Sequence, residues 1–535
     1  MEADKVEKYF NINGICYPDK HYMVNLDRRL QEIRCLVERG DYFIINRARQ
    51  YGKTTTLRAL SQYLQNDFCV IPLSFQRMST AKFQNEYIFS TAFAQALLKV
   101  IYNERKKVVG LNSLTVKTLE EALDRTIDLV DLFNYLSELC ASSKKPIVLI
   151  IDEVDSASNN QVFLDFLAQL RDSYLDREDT PTFQSVILAS VYDIKNLKQK
   201  IRPDEEHRYN SPWNIAAKFT IDMSFSVLDI KGMIDEYDQV YHINMDIGAI
   251  AQSIYDYTSG YPFLVSYICK LLDEQISSPQ LFGNKESAWT TAGIIEAVKI
   301  LMTDSNTLFD DMRKKVEDHS KLRNMLRSIL FNGKSFPYNP DSYPIGIGTM
   351  FGLIKEKNGT VVIANRIFET RLYNLFMSED LVNSETYQAA LLDRNQFIKS
   401  GHLNMELVMK KFMEHFTEVY ADCDSTFIED NGRRLFLLYL KPIINGTGNY
   451  YIEARTRDLR RTDVIIDYHG QQEIVEMKVW HGGEYNRKGE EQLAGYLEDY
   501  HLDRGYLLSF NFNKRKKVGM TKTICNGKTI VEIVV

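Results

Sequence analysis

The sequence predicts an α/β protein: a doubly wound parallel sheet first, a helical region next, and a smaller α/β domain last. Three observations predict it. Short apolar runs such as residues 146–151 (PIVLII), and the apolar centre of 184–190 (QSVILAS), alternate with helical periodicity over the first two hundred residues. Strands too apolar to face water on either side belong in a parallel sheet covered by helices. Strand signal then nearly vanishes over residues 226–305, and returns after residue 450 as alternating strands with charge on one face.

Taken in order, residues 25–39 predict a helix and 41–46 (DYFIIN) a strand. A Gly-Lys-Thr turn and a helix over 54–64 follow, then a strand over 68–73 (FCVIPL). Residues 80–140 are helix-rich and 161–174 helical, while 146–151 and 184–190 complete the sheet. Beyond the helical stretch come a helix over 322–330, a loop, and a helix over 345–353. A ribbon (353–356, 360–365) then turns on Asn358-Gly359, a strong hairpin signal, which suggests a small winged-helix module. A last domain begins near residue 400, with helices to about residue 440 and a turn over 442–448. Its strands are expected at 450–454, 463–468, 474–479 and 505–510, with a helix over 490–500 between the last two. The expected organisation is therefore a core over 1–225, a helical region over 226–315, the winged-helix module over 316–377, a polar connector over 378–399 and the final domain over 400–535.

Composition narrows the function. Of 535 residues, 44% are apolar and 26% charged, as in ordinary folded domains. The 31 Tyr and 28 Phe read as core and interface material. No apolar run approaches the roughly 20 residues that span a bilayer, and the acidic start (MEADKVEKYF) has no apolar signal region. Seven scattered cysteines without a CxxC pair argue against a disulfide framework or zinc site, and for a cytoplasmic, reducing setting. A net charge of −7 speaks against a dedicated nucleic-acid coat and leaves room only for a local basic patch.

The run Asn46-Arg-Ala-Arg-Gln-Tyr-Gly-Lys-Thr-Thr55 lies between a strand and a helix. Gly52 lets backbone approach phosphate, Lys53 reaches phosphate oxygens, and the Thr54 hydroxyl can ligate Mg²⁺, with Thr55 beside it. Arg47 stands where GxxxxGK[ST] has its first glycine; Arg47 and Arg49 either add phosphate contacts or are structural. A hundred residues on, IVLIID ends in Asp152-Glu153. Acids leaving a buried strand point into the crevice where such sheets bind ligands. Asp152 fits the residue that holds Mg²⁺ and Glu153 the one that polarises attacking water. A strand–helix turn without nucleotide is the alternative.

These residues resemble the AAA+-like ATPases of bacteria, in the group with an altered P-loop of RxRxxGK[ST] form. The resemblance covers about residues 5–376 and includes His21-Tyr-Met-Val24, RARQYGKT, LIIDEVD, Ser211-Pro-Trp-Asn214 and Tyr257-Thr-Ser-Gly-Tyr-Pro262. It implies an ATP-binding core with a helical lid over 226–315, Pro262 near the nucleotide base, Ser190 as a polar sensor, and Arg202 or Arg208 as a finger or sensor arginine. Gly260 and Pro262 are equally explained as the break before a helix and its first residue.

In the C-terminal domain, Glu476 and Lys478 stand two apart on a predicted strand and so share a face. If that strand pairs with 463–468 through the short turn, Asp463 approaches them. Two carboxylates and an ammonium suit phosphodiester hydrolysis: the acids hold Mg²⁺ and the lysine positions water. A structural ion pair is the alternative. Acid-led helix, strand, Asp strand, Glu-x-Lys strand and helix with Gln, in that order, resemble the PD-(D/E)XK nuclease fold, with Thr462 in place of its proline. By that resemblance Asp463 and Glu476 are metal ligands, Lys478 the catalytic lysine, Glu429 the helix acid, and Glu453 and Gln492 accessory residues. Lys514-Arg-Lys-Lys517 follows the last expected strand and suits either phosphates or solvent.

The combined expectation is an ATPase using ATP and Mg²⁺ (or Mn²⁺) to gate a nuclease, with DNA favoured over RNA as partner. The resemblance adds mobile-element or phage defence; a homo-oligomer and a protein trigger are further expected partners. An ATP-switched scaffold that binds without cutting, and a signalling ATPase that oligomerises, remain open.

Overall fold

Strands β1 (Phe43–Asn46), β2 (Cys69–Ser74), β3 (Ile147–Asp152) and β4 (Ser185–Ser190) lie in the order β1-β4-β3-β2, every neighbouring pair parallel. On the open side of β1, Phe43 bridges in parallel to Ala217. The computed structural model describes residues 7–103, 108–157, 160–191, 213–332, 334–381, 396–399, 401–420, 429–444, 448–452, 464–468, 471–480, 483–513 and 516–535. They divide into one unit of residues 1–297 with 350–352, and a second of 298–349 with 353–535.

In the first unit, α1 (Asp27–Glu38) precedes β1, and α2 (Lys53–Leu64) joins β1 to β2. Helices α3 (Glu86–Ile101), α4 (Ser113–Ala122), α5 (Leu129–Ser142) and α6 (Gln161–Leu175) complete the wrapping. β3 and β4 are buried along their whole length, as their unbroken apolar runs require. Alternate residues serve the two faces: Ile71, Leu149, Ile151 and Leu188 join one core with Phe75, Phe89, Phe93 and Phe166. Burying each such side chain contributes roughly 1.5–3 kcal/mol. Helices α7 (Val227–Tyr241), α8 (Ile247–Thr258), α9 (Pro262–Leu271) and α10 (Lys285–Ala288) follow, in accord with the missing strand signal. Ser226 and Asp229 close a capping box on α7, satisfying otherwise orphaned backbone donors. Helix α11 (Thr291–Thr303) begins in the first unit and ends in the second.

The second unit contains α12 (Thr307–Asp318), α13 (Ser320–Asn332), α14 (Tyr343–Met350) and the hairpin β5 (Ile354–Lys357)–β6 (Thr360–Ile363). Asn358 (φ 52°) and Gly359 (φ 76°) are both left-handed, as a two-residue hairpin turn with right-handed twist requires. α15 (Arg366–Leu381) follows, and the buried Arg433 guanidinium donates to the Tyr373 hydroxyl at 3.3 Å. A small hairpin, β7 (Ile398–Lys399) and β8 (His402–Leu403), turns at Gly401. Helices α16 (Met405–Tyr420) and α17 (Glu429–Ile444) lead to a six-stranded sheet, and α18 (Gly483–Asp499) packs on it. Its strands are β9 (Gly448–Ile452), β10 (Val464–Tyr468), β11 (Gln471–Val479), β12 (Arg504–Phe510), β13 (Gly519–Cys525) and β14 (Lys528–Val534), ordered β13-β14-β12-β11-β10-β9. Of the four interior strands, β11, β12 and β14 are parallel to one another and β10 is antiparallel to β11.

Two expectations need correction here. Residues 505–510 are not the last core strand: β14 lies beside β12, and β13 pairs with β14 through Asn526-Gly527, both left-handed. The run TIVEIV within β14 carries the alternation expected of a strand. The turn expected at 442–448 begins later, because α17 runs through Pro442 and ends at Ile444. Among the described residues no helix is long and apolar enough to cross a membrane.

Candidate functional site

The first candidate site grows out of the turn between β1 and α2. That turn places Gln50 (φ 56°) and Gly52 (φ 76°) in the left-handed region, which glycine adopts without steric cost. A Cβ on Gly52 would meet nothing within 4 Å, so the space against its backbone is open. The Lys53 ammonium curls back into the turn, donating to the carbonyls of Arg47 (2.7 Å) and Ala48 (2.9 Å). Burial lowers its pKa, while Asp155, Glu153 and Asp152 act in the opposite sense. An ammonium held by two carbonyls at the mouth of a turn is placed to exchange them for phosphate oxygens.

The Thr54 hydroxyl donates to Asp152 Oδ2 at 2.8 Å, and Asp152 Oδ1 accepts the Glu153 amide at 2.9 Å. Glu153 is itself left-handed (φ 57°), unusual for a residue with a Cβ. Its carboxyl is pushed up first by burial and then by the Asp152 charge, the environment of a group suited to proton traffic. Ser190 donates from Oγ to Asp155 Oδ1 at 2.6 Å, and Asp155 Oδ2 accepts the Val191 amide at 2.7 Å. Asp155 was not singled out in the sequence, although it stands in the same acidic run. Its spacing on the short helical turn Val154–Ala157 brings it to the end of β4.

Arg47 turns away from the open space. Its guanidinium donates to the carbonyls of Asn46 (2.9 Å) and Ile221 (2.8 Å) and lies over the Phe219 ring. Burial lowers its pKa. Arg49 is exposed, and its carbonyl accepts the Tyr261 hydroxyl at 2.6 Å. Thr55 Oγ1 accepts the Cys16 amide at 3.2 Å, tying the lead-in segment to the turn. Gly52, Thr55 and Pro262 line one cavity of about 310 Å³, together with Asn11, Val24 and Phe263. Pro262 is also the first residue of α9, the helix-start role the sequence offers for it. The apolar lining from residues 11–26 was missed because an isolated lead-in segment has no periodicity. Arg202, Arg208, Ser211 and Pro212 lie outside the described residues.

The second candidate site lies on β11. Glu476 is fully buried and Lys478 nearly so, at 5% exposure. Lys478 Nζ stands 3.2 Å from Glu476 Oε1 and donates to Gln492 Oε1 at 3.1 Å. Gln492 Nε2 in turn donates to the Tyr496 hydroxyl at 3.2 Å. Gly489 allows this approach, since a Cβ there would come 3.1 Å from Lys478 Cδ. Strand alternation and the pairings Glu476↔Leu507 and Lys478↔Ser509 put these side chains on the face covered by α18. The last described pair of β10 and β11 is Val464↔Val475, one residue before Glu476. Asp463 and Glu453 lie outside the described residues, and of Glu429 only its place at the start of α17 is described. An ion pair absent from the sequence reading joins Lys299 Nζ to Asp467 Oδ2 at 2.6 Å, both nearly buried.

The family described as AAA-like domain matches residues 19–374. No curated protein matches the chain. Among solved structures, the chain is similar to the Walker-type ATPase PABY2304 of Pyrococcus abyssi (12% identity, TM-score 0.46, covering 68% of this chain and 99% of that one). It is also similar to the Aeropyrum pernix ORC2 protein (12% identity, TM-score 0.38, covering 70% and 99%). A third is the RuvB Holliday junction branch migration motor of Thermotoga maritima (13% identity, TM-score 0.31, covering 64% and 92%). With more than half of its length matched, the chain belongs to the AAA-like domain family.

Proposed function

We propose that the chain binds and hydrolyses ATP with Mg²⁺, and that this cycle gates a metal-dependent phosphodiesterase on the sheet of the second unit. The observation that carries the first part is the bond from Thr54 to Asp152, which brings the turn after β1 to the acidic end of β3. Gly52 and Lys53 hold the phosphates, and the cavity reaching Pro262 holds the base. Thr54 and Asp152 supply oxygen ligands for Mg²⁺, which when bound offsets phosphate charge. Glu153 orients the attacking water and takes its proton. Ser190, held by Asp155, reports the state of the γ-phosphate end. Arg49 contributes a phosphate contact from its exposed position.

The second part rests on Glu476 and Lys478 side by side on one face of β11, steadied by Gln492. This arrangement fits the PD-(D/E)XK nuclease resemblance. Glu476 would share Mg²⁺ or Mn²⁺ with Asp463, which immediately precedes Val464 in sequence, and Lys478 would position the water. Glu429 and Glu453 complete the assignment as accessory acids. We place this activity in the cytoplasm, acting on nucleic acid with DNA ahead of RNA, in a homo-oligomer answering a protein trigger, within mobile-element or phage defence. The burial of the Glu476–Lys478 pair favours one rival, an ATP-switched scaffold whose C-terminal domain binds but does not cut.

The deciding experiment incubates labelled single- and double-stranded DNA and RNA with Mg²⁺ or Mn²⁺, with and without ATP. Metal-dependent products that appear or increase with ATP, and vanish in Lys478→Ala, support the proposal. Identical products with and without ATP remove the gating, and intact substrates under all conditions leave the scaffold.

A further inference from the structure

Because β11, β12 and β14 are parallel, their carboxyl ends open on one edge of the sheet, and a groove of about 500 Å³ lies there. It is lined by Trp480, Asn511, Asn513, Lys516, Lys517 and Glu532, with Val534 at its side. Val534 of that lining stands in the same cross-strand row as Lys478. Lys478 pairs with Ser509, and Ser509 with Val534. Trp480 stands two residues beyond Lys478, roughly 7 Å along the strand and on the same face.

The chemistry of the lining is mixed in an ordered way. It carries Lys516 and Lys517, and among the described residues neither forms an ion pair with a carboxylate. Lys516 Nζ lies 5.8 Å from the Phe512 ring. Asn511 and Asn513 add side-chain amides; Asn511 Oδ1 is already used by the Asn513 amide at 3.0 Å. Glu532 also lines it, and its Oε1 accepts the hydroxyl of Ser509, the strand neighbour of Lys478, at 3.1 Å. Half-buried Trp480 is fixed by its amide, which donates to the Phe510 carbonyl at 2.8 Å.

We propose that this groove binds a single-stranded segment of nucleic acid next to the Glu476–Lys478 site, with the phosphates on Lys516 and Lys517, a base stacked on Trp480, and a base amino group on Glu532. This deepens the phosphodiesterase reading and rests on it for its purpose, though not for its test. Two lysines supply the counter-charge a phosphodiester needs in an otherwise acidic chain, and an indole supplies a sequence-tolerant stacking platform. Glu532 disfavours a bare polyanion, such as a polyphosphate, that offers no donor in return.

The test uses the full chain in EDTA, so that nothing is cut, and measures anisotropy of labelled single-stranded DNA and RNA oligonucleotides across a salt series. Lys516→Glu with Lys517→Glu should weaken binding at least tenfold and flatten the log–log salt slope by about 1.4, two phosphates' worth for a single strand. Trp480→Ala should weaken it about fivefold or more, and Trp480→Phe should restore most of the loss, which separates stacking from misfolding. Lys314→Glu, at an exposed position of α12, should change nothing. The DNA and RNA arms identify which strand is preferred. If the double reversal binds as well as wild type, or if Lys314→Glu weakens binding equally, the groove assignment is wrong. Groove-dependent binding without cleavage under Mg²⁺ or Mn²⁺ would keep the groove and discard the phosphodiesterase. Cleavage unaffected by the groove variants would do the reverse.

Discussion

The hydroxyl of Thr54, on the first turn of α2, donates to Asp152 Oδ2 at the carboxyl end of β3, 2.8 Å away. Ninety-eight residues separate the two in sequence. The parallel sheet unites them, because β1 and β3 both run toward the same edge with β4 between them. A hydroxyl and a carboxylate joined there can accept a divalent cation together with little rearrangement.

Thr54→Ala should therefore lower affinity for ATP in the presence of Mg²⁺ by about tenfold, while leaving metal-free binding in EDTA nearly unchanged. A lost hydrogen bond to a charged group is worth about 1.5–3 kcal/mol. Thr54→Ser, which keeps the oxygen, should bind like wild type. Calorimetric titration in the two buffers checks this.

Glu153→Gln should keep nucleotide affinity and reduce ATP turnover by about a hundredfold or more, the usual weight of a general base. Burial and the Asp152 charge raise the Glu153 pKa. The active, ionised form is then lost as pH falls through a value above the ordinary ~4.3 of glutamate. The acid limb of the kcat/KM profile should lie correspondingly high, and should be missing from the residual activity of Glu153→Gln. Phosphate release measured across pH tests both points.

Gly260 precedes α9 with a left-handed backbone (φ 72°), and a Cβ there would stand 1.9 Å from the Phe225 carbonyl oxygen. The Phe225 amide also donates to the Gly260 carbonyl at 2.8 Å. Gly260→Ala should cost more than about 2 kcal/mol, since backbone must move, and should weaken nucleotide binding because Phe225 lines the cavity. Gly232→Ala, in the exposed interior of α7 with nothing near the new Cβ, should stabilise by about 0.5–1 kcal/mol. Denaturant unfolding of both variants provides the comparison.

Lys478→Ala leaves the fully buried Glu476 without its ammonium. Breaking such a pair costs about 3–5 kcal/mol, whereas replacing both partners by neutral groups is often tolerated. The double variant Glu476→Gln, Lys478→Met should accordingly be more stable than Lys478→Ala. If Mg²⁺ or Mn²⁺ raises the melting temperature of wild type but not of the double variant, a metal rather than a plain ion pair accounts for the site.

The parts of this fold legible in the sequence are those fixed by local pattern. β3 and β4 declare themselves as unbroken apolar runs, and the β5–β6 hairpin by Asn358-Gly359. Glu476 and Lys478 fall together by simple alternation. What was not legible depends on long-range placement. Asp155 reaches Ser190 only because β3 and β4 are neighbours. In a linear motif Arg47 is open to a phosphate or a structural role, and the contact that bears on the choice, to the Ile221 carbonyl, lies 174 residues away. Asn526-Gly527 announces a hairpin, but the insertion of β14 beside β12 cannot be read from pattern alone.

The most direct measurement of the central claim is a calorimetric titration of ATP with Mg²⁺ into the full chain, beside Lys53→Ala. Wild type should bind one ATP per chain, with Lys53→Ala at least tenfold weaker, because the proposal puts the phosphates on the ammonium now held by the Arg47 and Ala48 carbonyls. No binding by wild type, or equal binding by both proteins, would contradict the account.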